Sequence, residues 1–307
     1  MTQLPARKDG LVGEPGVPPR VIGVPRFELG TSPTRTERAT RLRHTPSPNR
    51  VPERLTQSLT MAPRDEILGF AAELLDLDTF RDHGPQGMQV AGAEEVSRIV
   101  CAVSSSLELF ERAAEARAQL VIVHHGLLWD NEPRVIDSRV RRRLQALFDG
   151  DLTLAGYHLA LDAHPEVGNN VLLARELGVE VDAPFAGIGA GGRLPAPEPL
   201  ESFLARVRER IAPEPLVFRE GPDEVERVAI VLGGGGRHLA EAAAAGYDLF
   251  LTGEPEDPSL HLARELGITF VAAGHYATER LGVQALAARL AHRFGLEWEF
   301  VELPNPV

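Results

Sequence analysis

Leu120-Val121-Ile122-Val123-His124-His125-Gly126 is a run of apolar residues that stops at two adjacent histidines and a glycine. Four branched or large apolar side chains in a row read as a strand buried on both faces, because a strand with one wet face would alternate polar and apolar residues. Gly126 allows the backbone to turn sharply straight afterwards. His124 and His125 therefore stand at the carboxyl end of a strand, the edge of an open α/β sheet where departing loops converge and ligands bind. Neutral imidazole is also the commonest protein ligand for a transition metal. The plainer alternative is that one histidine packs in the core and the other faces water.

Outward from this run the chain alternates strand and helix. Apolar spacing predicts a helix over 65–77, a turn-rich loop over 80–90, a strand over 99–103 and a helix over 107–117. After the opening strand come a helix over 139–148 and a strand over 152–157. The pattern then returns: strand 225–232, turn 233–236, helix 237–245, strand 248–252, helix 258–266, strand 268–272. "VSRIVCAVSSSLELFERAAEARAQLVIVHHG" runs almost in step with "VERVAIVLGGGGRHLAEAAAAGYDLFLTGE". The expected fold is α/β, with two related βαβαβ halves forming mixed or parallel sheets with flanking helices. The first half covers 61–170 and the second 222–307. Between them, 171–221 carries Gly and Pro clusters, a helix over 200–211 and a short strand over 216–218, and reads as a small inserted lobe.

Bulk composition narrows the class. At 307 residues, 43% hydrophobic and 25% charged, the chain has the texture of a soluble globular protein. No apolar run approaches the ~20 residues of a membrane span, and the amino terminus lacks the apolar core of a secretory signal. A single cysteine, Cys101, excludes an internal disulfide and suits a reducing cytoplasm. The net charge of −12 argues against general nucleic-acid binding, which needs clustered Lys and Arg.

Residues 1–60 differ from the rest, being rich in Pro, Arg and Thr without hydrophobic periodicity, and are expected to be disordered. They hold 10 basic and 5 acidic residues, which leaves the remainder at −17. Residues 39–46 can be back-translated so that the reverse complement resembles the acceptor stem and D-arm of a transfer RNA, and 26–29 so that it resembles a T-loop. The expectation is an antisense reading of such a gene, with translation beginning at Met61; a linker or partner-binding tail is the competing reading.

Each half ends in a strand followed by histidine: Tyr157-His158-Leu159-Ala160-Leu161-Asp162 in the first, Gly274-His275-Tyr276-Ala277-Thr278-Glu279 in the second. Three carboxyl-end loops thus gather His124, His125, His158, Asp162, His275 and Glu279. Imidazole with carboxylate suits zinc, iron, manganese or nickel, and two carboxylates able to bridge suggest two divalent ions. Taken singly, Glu279 could favour a helix start and Asp162 could begin a turn. The glycines 233–236 lack the Lys-Ser/Thr of a P-loop and read as a tight turn. His44, His83, His164, His238, His261 and His292 have no comparable context.

Residues 121–129, 157–165 with Asn169-Asn170, Thr252-Gly253-Glu254 and 273–280 resemble the hallmark motifs of the GTP cyclohydrolase I type 2-like, or NIF-three-like, dinuclear metal-binding family. The loop 82–92 also resembles its amino-terminal signature. This resemblance spans Met61 to about Leu303 and implies a dinuclear centre with His124, His125, Asp162, His275 and Glu279 as ligands. It further implies a toroidal homohexamer with metal sites facing an inner cavity. Ala160 stands where the family often has proline, and Tyr276 where a second histidine is common.

The activity implied is a metal-dependent hydrolase acting on a nucleotide-like small molecule, with His158, outside the ligand set, as proton shuttle. The alternative is a non-catalytic metal-binding ring protein with an assembly or regulatory role.

Overall fold

The computed structural model describes residues 60–307. The expectations for the amino-terminal extension and its start site concern residues that, up to 59, lie outside this range. In the first half, β1 (Ala62–Pro63), α1 (Arg64–Leu75), β2 (Gly87–Val90) and β3 (Glu95–Val96) lead into β4 (Arg98–Ser104), α2 (Leu107–Glu115), β5 (Leu120–His125), α3 (Ser138–Asp149) and β6 (Thr153–Gly156). Helix α2 starts where the Ser106 hydroxyl accepts Leu109 N–H, and α3 where the Asp137 carboxylate accepts Val140 N–H, each satisfying a donor that the first turn leaves free. The apolar run behaves as its composition demands: residues 120–124 are fully buried.

The chain continues through α4 (Leu159–Ala163), α5 (Asn169–Glu176), β7 (Glu180–Phe185), β8 (Gly189–Pro199), α6 (Leu200–Arg210) and β9 (Leu216–Phe218). The second half then follows as β10 (Glu224–Ile230), α7 (Leu239–Ala244), β11 (Leu249–Thr252), α8 (Ser259–Leu266), β12 (Thr269–Ala272), α9 (His275–Thr278), α10 (Arg280–Phe294) and β13 (Glu297–Phe300).

The two large sheets run β13-β4-β5-β6-β2 and β7-β8-β10-β11-β12-β9. Strands β4, β5 and β6 are parallel, as are β10, β11 and β12. Each set carries one antiparallel strand beside its third member, β2 on β6 and β9 on β12. The halves are therefore related beyond the βαβαβ core. Residues 171–221 do not stand apart as a lobe. Their strands β7, β8 and β9 complete the second sheet, and α6 packs Phe203, Leu204 and Val207 into that sheet's core.

The halves also exchange elements. Strand β13, at the end of the second half, pairs with β4 of the first sheet, while β7, which follows the first half, joins the second sheet. Their helices do the same. Val283, Leu286 and Leu290 of α10 pack against Ile99, Leu120 and Ile122, whereas Leu173 and Ala174 of α5 pack against Val228, Ile230 and Leu249. Each buried aliphatic side chain contributes about 1.5–3 kcal/mol, so this exchange holds the two strand ends in a fixed relation. Among the described residues no helix is long and apolar enough to cross a membrane.

Candidate metal centre

The three carboxyl-end loops do meet. His124 and His125 end β5, His158 and Asp162 follow β6 at the start of and within α4, His275 opens α9, and Glu279 joins α9 to α10. His124, Asp162 and Glu279 are 0%, 6% and 2% exposed, a burial that charged or polar groups tolerate only when partnered. The rings of His124 and His125 lie 4.7 Å apart, and those of His125 and His275 5.1 Å apart.

Each imidazole is held from behind. His124 Nδ1 lies 2.9 Å from the Tyr157 carbonyl oxygen, which only accepts, so Nδ1 carries a proton and Nε2 is the nitrogen that faces forward. His125 Nδ1 contacts Ser104 Oγ at 2.9 Å, and His275 Nδ1 bonds the Glu254 carboxylate. Asp162 Oδ1 accepts Asn169 Nδ2–H at 2.9 Å. Partners of this kind fix the direction of a ligand atom before any ion arrives.

The forward atoms converge. Glu279 Oε2 lies 3.1 Å from Nε2 of both His125 and His275 and 3.7 Å from Nε2 of His124, which is itself 3.5 Å from Asp162 Oδ1. Ligand atoms of His125, His275 and Glu279 form one cluster that could hold a metal ion, and those of His124, Asp162 and Glu279 a second. Glu279 belongs to both. His124 Nε2 and Glu279 Oε2 are buried without a hydrogen-bond partner. Two buried polar atoms left without a partner and aimed at common space fit a cation, which would take the place of a proton on His124. A third cluster joins His124, His125 and His158.

The electrostatics follow from crowding carboxylates and imidazoles away from water. Burial pulls His124 down, but Asp162 and Glu279 outweigh it and raise the imidazole to about 9. Burial likewise opposes charge on His275, yet Glu279 and Glu254 raise it to about 9. His125 goes the other way, lowered to about 4 by burial and by the charges of His124 and His275, against the pull of Glu279. For Glu279 the surrounding imidazoles overcome burial and hold the carboxyl well below the ordinary glutamate range. Burial and the Glu279 charge push Asp162 up. Protons on His124 and His275 occupy the role a cation would fill.

A cavity of about 500 Å³ opens over the cluster, lined in part by His83, Trp129, His158, Gly234 and Arg237. The turn at 233–236 is thus part of the site. Gly233 has φ 57°, and a Cβ there would collide with Glu279 Oε1 and lie 3.0 Å from His275 Nε2. Gly126 differs from its expected role: it needs no unusual φ, but the Gln89 amide occupies the space its Cβ would need and accepts Leu127 N–H at 2.7 Å. Tyr276 points away from the cluster, its hydroxyl donating to Glu302 at 2.9 Å.

The sequence alone points to all six cluster residues but gives no individual role to Asp82, Asn169 or Glu254, and reads Gly233 only as part of a tight turn. The first three lay inside quoted motifs, the only signal available for them. Of the histidines without context, His83 alone lines this cavity.

A family model described as Duf34/NIF3 (NGG1p interacting factor 3) matches residues 62–306. A GTP cyclohydrolase 1 type 2 homolog of Pseudomonas aeruginosa is 44% identical over 241 residues, covering 77% of this chain and 95% of that protein. A solved structure described as protein ybgI, of unknown function, matches at 40% identity with TM-score 0.78, covering 80% of this chain and all of that one. TTHA1606 from Thermus thermophilus matches at 39% identity and TM-score 0.75, with the same coverage.

Proposed function

The chain belongs to the Duf34/NIF3 family, and we propose that it is a dinuclear-metal-dependent hydrolase acting on a nucleotide-like small molecule. One observation carries the reading: Glu279, whose Oε2 is buried without a hydrogen-bond partner, is common to two ligand clusters. His125 and His275 would hold one ion and His124 and Asp162 the other, with Glu279 between them. The donor set suits zinc, iron, manganese or nickel. Divalent ions held there would lower the pKa of water towards neutrality and polarise an electrophile.

The chain's own groups supply the rest. His158, at the cavity wall, moves a proton at its free ring nitrogen. Trp129, whose Nε1–H donates to the Gly126 carbonyl at 3.0 Å, offers a fixed flat face. Arg237 supplies a cation for an anionic substrate group, and about 500 Å³ is within the usual range for small-molecule sites. The test is turnover of a nucleotide and phosphoester panel by protein loaded with each metal. Metal-dependent turnover that Asp162→Asn abolishes supports the reading.

A second reading, a non-catalytic metal-binding ring with an assembly or regulatory role, is favoured by surface chemistry. Val135 and Ile136 are 66% and 68% exposed, and Ile136 shares a surface groove with Arg141 and Arg142; Phe148, further along α3, is 61% exposed. Exposed apolar side chains suit burial between copies, and on this reading the copies form a toroidal homohexamer whose metal sites face an inner cavity. Free, buried Cys101 supports a cytoplasmic setting. A hexamer by light scattering, with no metal-dependent turnover on the panel, would select this reading.

A further inference from the structure

A buried carboxylate stands behind His158. Asp82 Oδ1 lies 2.7 Å from His158 Nδ1, and Asp82 Oδ2 accepts the Leu159 N–H at 2.8 Å. The Asp82 side chain is 3% exposed. Burial pushes its carboxyl up, but His158 and the N–H groups of His83 and Leu159 outweigh that and hold it below the ordinary aspartate range. Trp129 meets the His158 ring edge to face at 5.1 Å. The ring is thus clamped by a hydrogen bond and by packing. A ring nitrogen of His158 comes within 4.8 Å of one on each of His124 and His125. With Nδ1 engaged by Asp82, Nε2 is the nitrogen free to act.

The second half repeats the device. His275 follows β12 as His158 follows β6, and each precedes a cluster carboxylate by four residues. His275 Nδ1 bonds Glu254 as His158 Nδ1 bonds Asp82. A carboxylate behind Nδ1 therefore marks a histidine whose Nε2 is directed forward.

We propose that Asp82 is a positioning residue that fixes His158 in the tautomer protonated on Nδ1, leaving the Nε2 lone pair facing the cavity. This rests on the reading of His158 as the proton-transfer group. In that role Nε2 takes one proton as an O–H bond of the attacking water breaks, and returns it to the leaving group. Nδ1–H remains on Asp82 throughout.

The hydrogen bonds make a test available in Asp82→Ala. Asp82 Oδ1 also accepts the His83 N–H at 2.7 Å, so an asparagine can keep its one oxygen on His83 and His158 without changing the tautomer, whereas alanine removes every acceptor. Nitrogen NMR of ¹⁵N-histidine-labelled, zinc-loaded protein at one pH reads this directly, with His158→Gln to assign the signal. The expected result is Nδ1–H in the wild type, a shift of the population towards Nε2–H in Asp82→Ala, Nδ1–H again in Asp82→Glu, and unchanged zinc content in all three. An Nε2–H tautomer in the wild type, or no change in Asp82→Ala, overturns the proposal. A zinc-coordinated Nε2 with Nδ1–H retained would support the role of Asp82 while refuting proton transfer by His158.

Discussion

Asn169 Nδ2–H donates to Asp162 Oδ1 across 2.9 Å, and the same side chain's Oδ1 accepts the Gly282 N–H at 2.6 Å. One fully buried residue on α5 thus orients a candidate ligand and satisfies a free donor in the first turn of α10, the helix exchanged onto the other sheet. Gly282 permits the approach, since a Cβ there would come 2.7 Å from Asn169 Oδ1.

Asn169→Ala should therefore fail in two measurable ways. Leaving Gly282 N–H without its partner costs about 1–3 kcal/mol of stability by denaturant unfolding. Releasing Asp162 weakens metal binding by about 10- to 100-fold in chelator competition. Wild-type affinity in this variant would remove Asn169 from the site.

Glu279→Gln and Asp162→Asn should differ in extent. Glu279 serves both ligand clusters and Asp162 only one, so the first variant should lose nearly all bound metal and the second about half, by elemental analysis. Far-UV circular dichroism should barely move, because the strands beneath supply the core. Full occupancy in both variants would contradict the assignment.

Gly233→Ala tests the glycine turn. The left-handed conformation at φ 57° costs an alanine about 1–2 kcal/mol. Its Cβ would also drive Glu279 and His275 from their positions. Metal content should fall more steeply than melting temperature. Gly234→Ala is the control, since nothing lies within 4 Å of a Cβ there.

Metal binding should release protons. In the metal-free protein His124 and His275 keep theirs up to about pH 9, their carboxylate neighbours outweighing burial. Calorimetry in buffers of different ionisation enthalpy should show release near neutrality and an affinity that rises towards about pH 9. The sign for folding is opposite. A raised histidine pKa stabilises the metal-free fold fully below the unfolded value of 6.5, and that contribution is lost as pH climbs through about 9. The metal-free melting temperature should fall over that window. An affinity flat across it would count against the account.

What the sequence made legible is local chemistry on a regular frame. The apolar run 120–123 announced a buried strand, and the histidines and carboxylates beyond the strand ends announced which side chains come together. Residues 216–218 were placed with their observed bounds. Asp82, Asn169 and Glu254 were silent because each acts through a side-chain hydrogen bond to a residue whose position depends on the folded chain. Asp82 reaches His158 across 76 positions and Glu254 reaches His275 across 21. The exchange of β7 and β13 was equally hidden, since a βαβαβ pattern predicts parallel strands but carries no mark of which sheet an outlying strand joins.

The account turns on Glu279 lying between two metal ions. Anomalous-difference maps from crystals of zinc- or manganese-replete protein test it most directly. It predicts two peaks, one against His125 and His275 and one against His124 and Asp162, with a Glu279 carboxylate oxygen next to each. A single peak, or two peaks with Glu279 bound to neither, would contradict it.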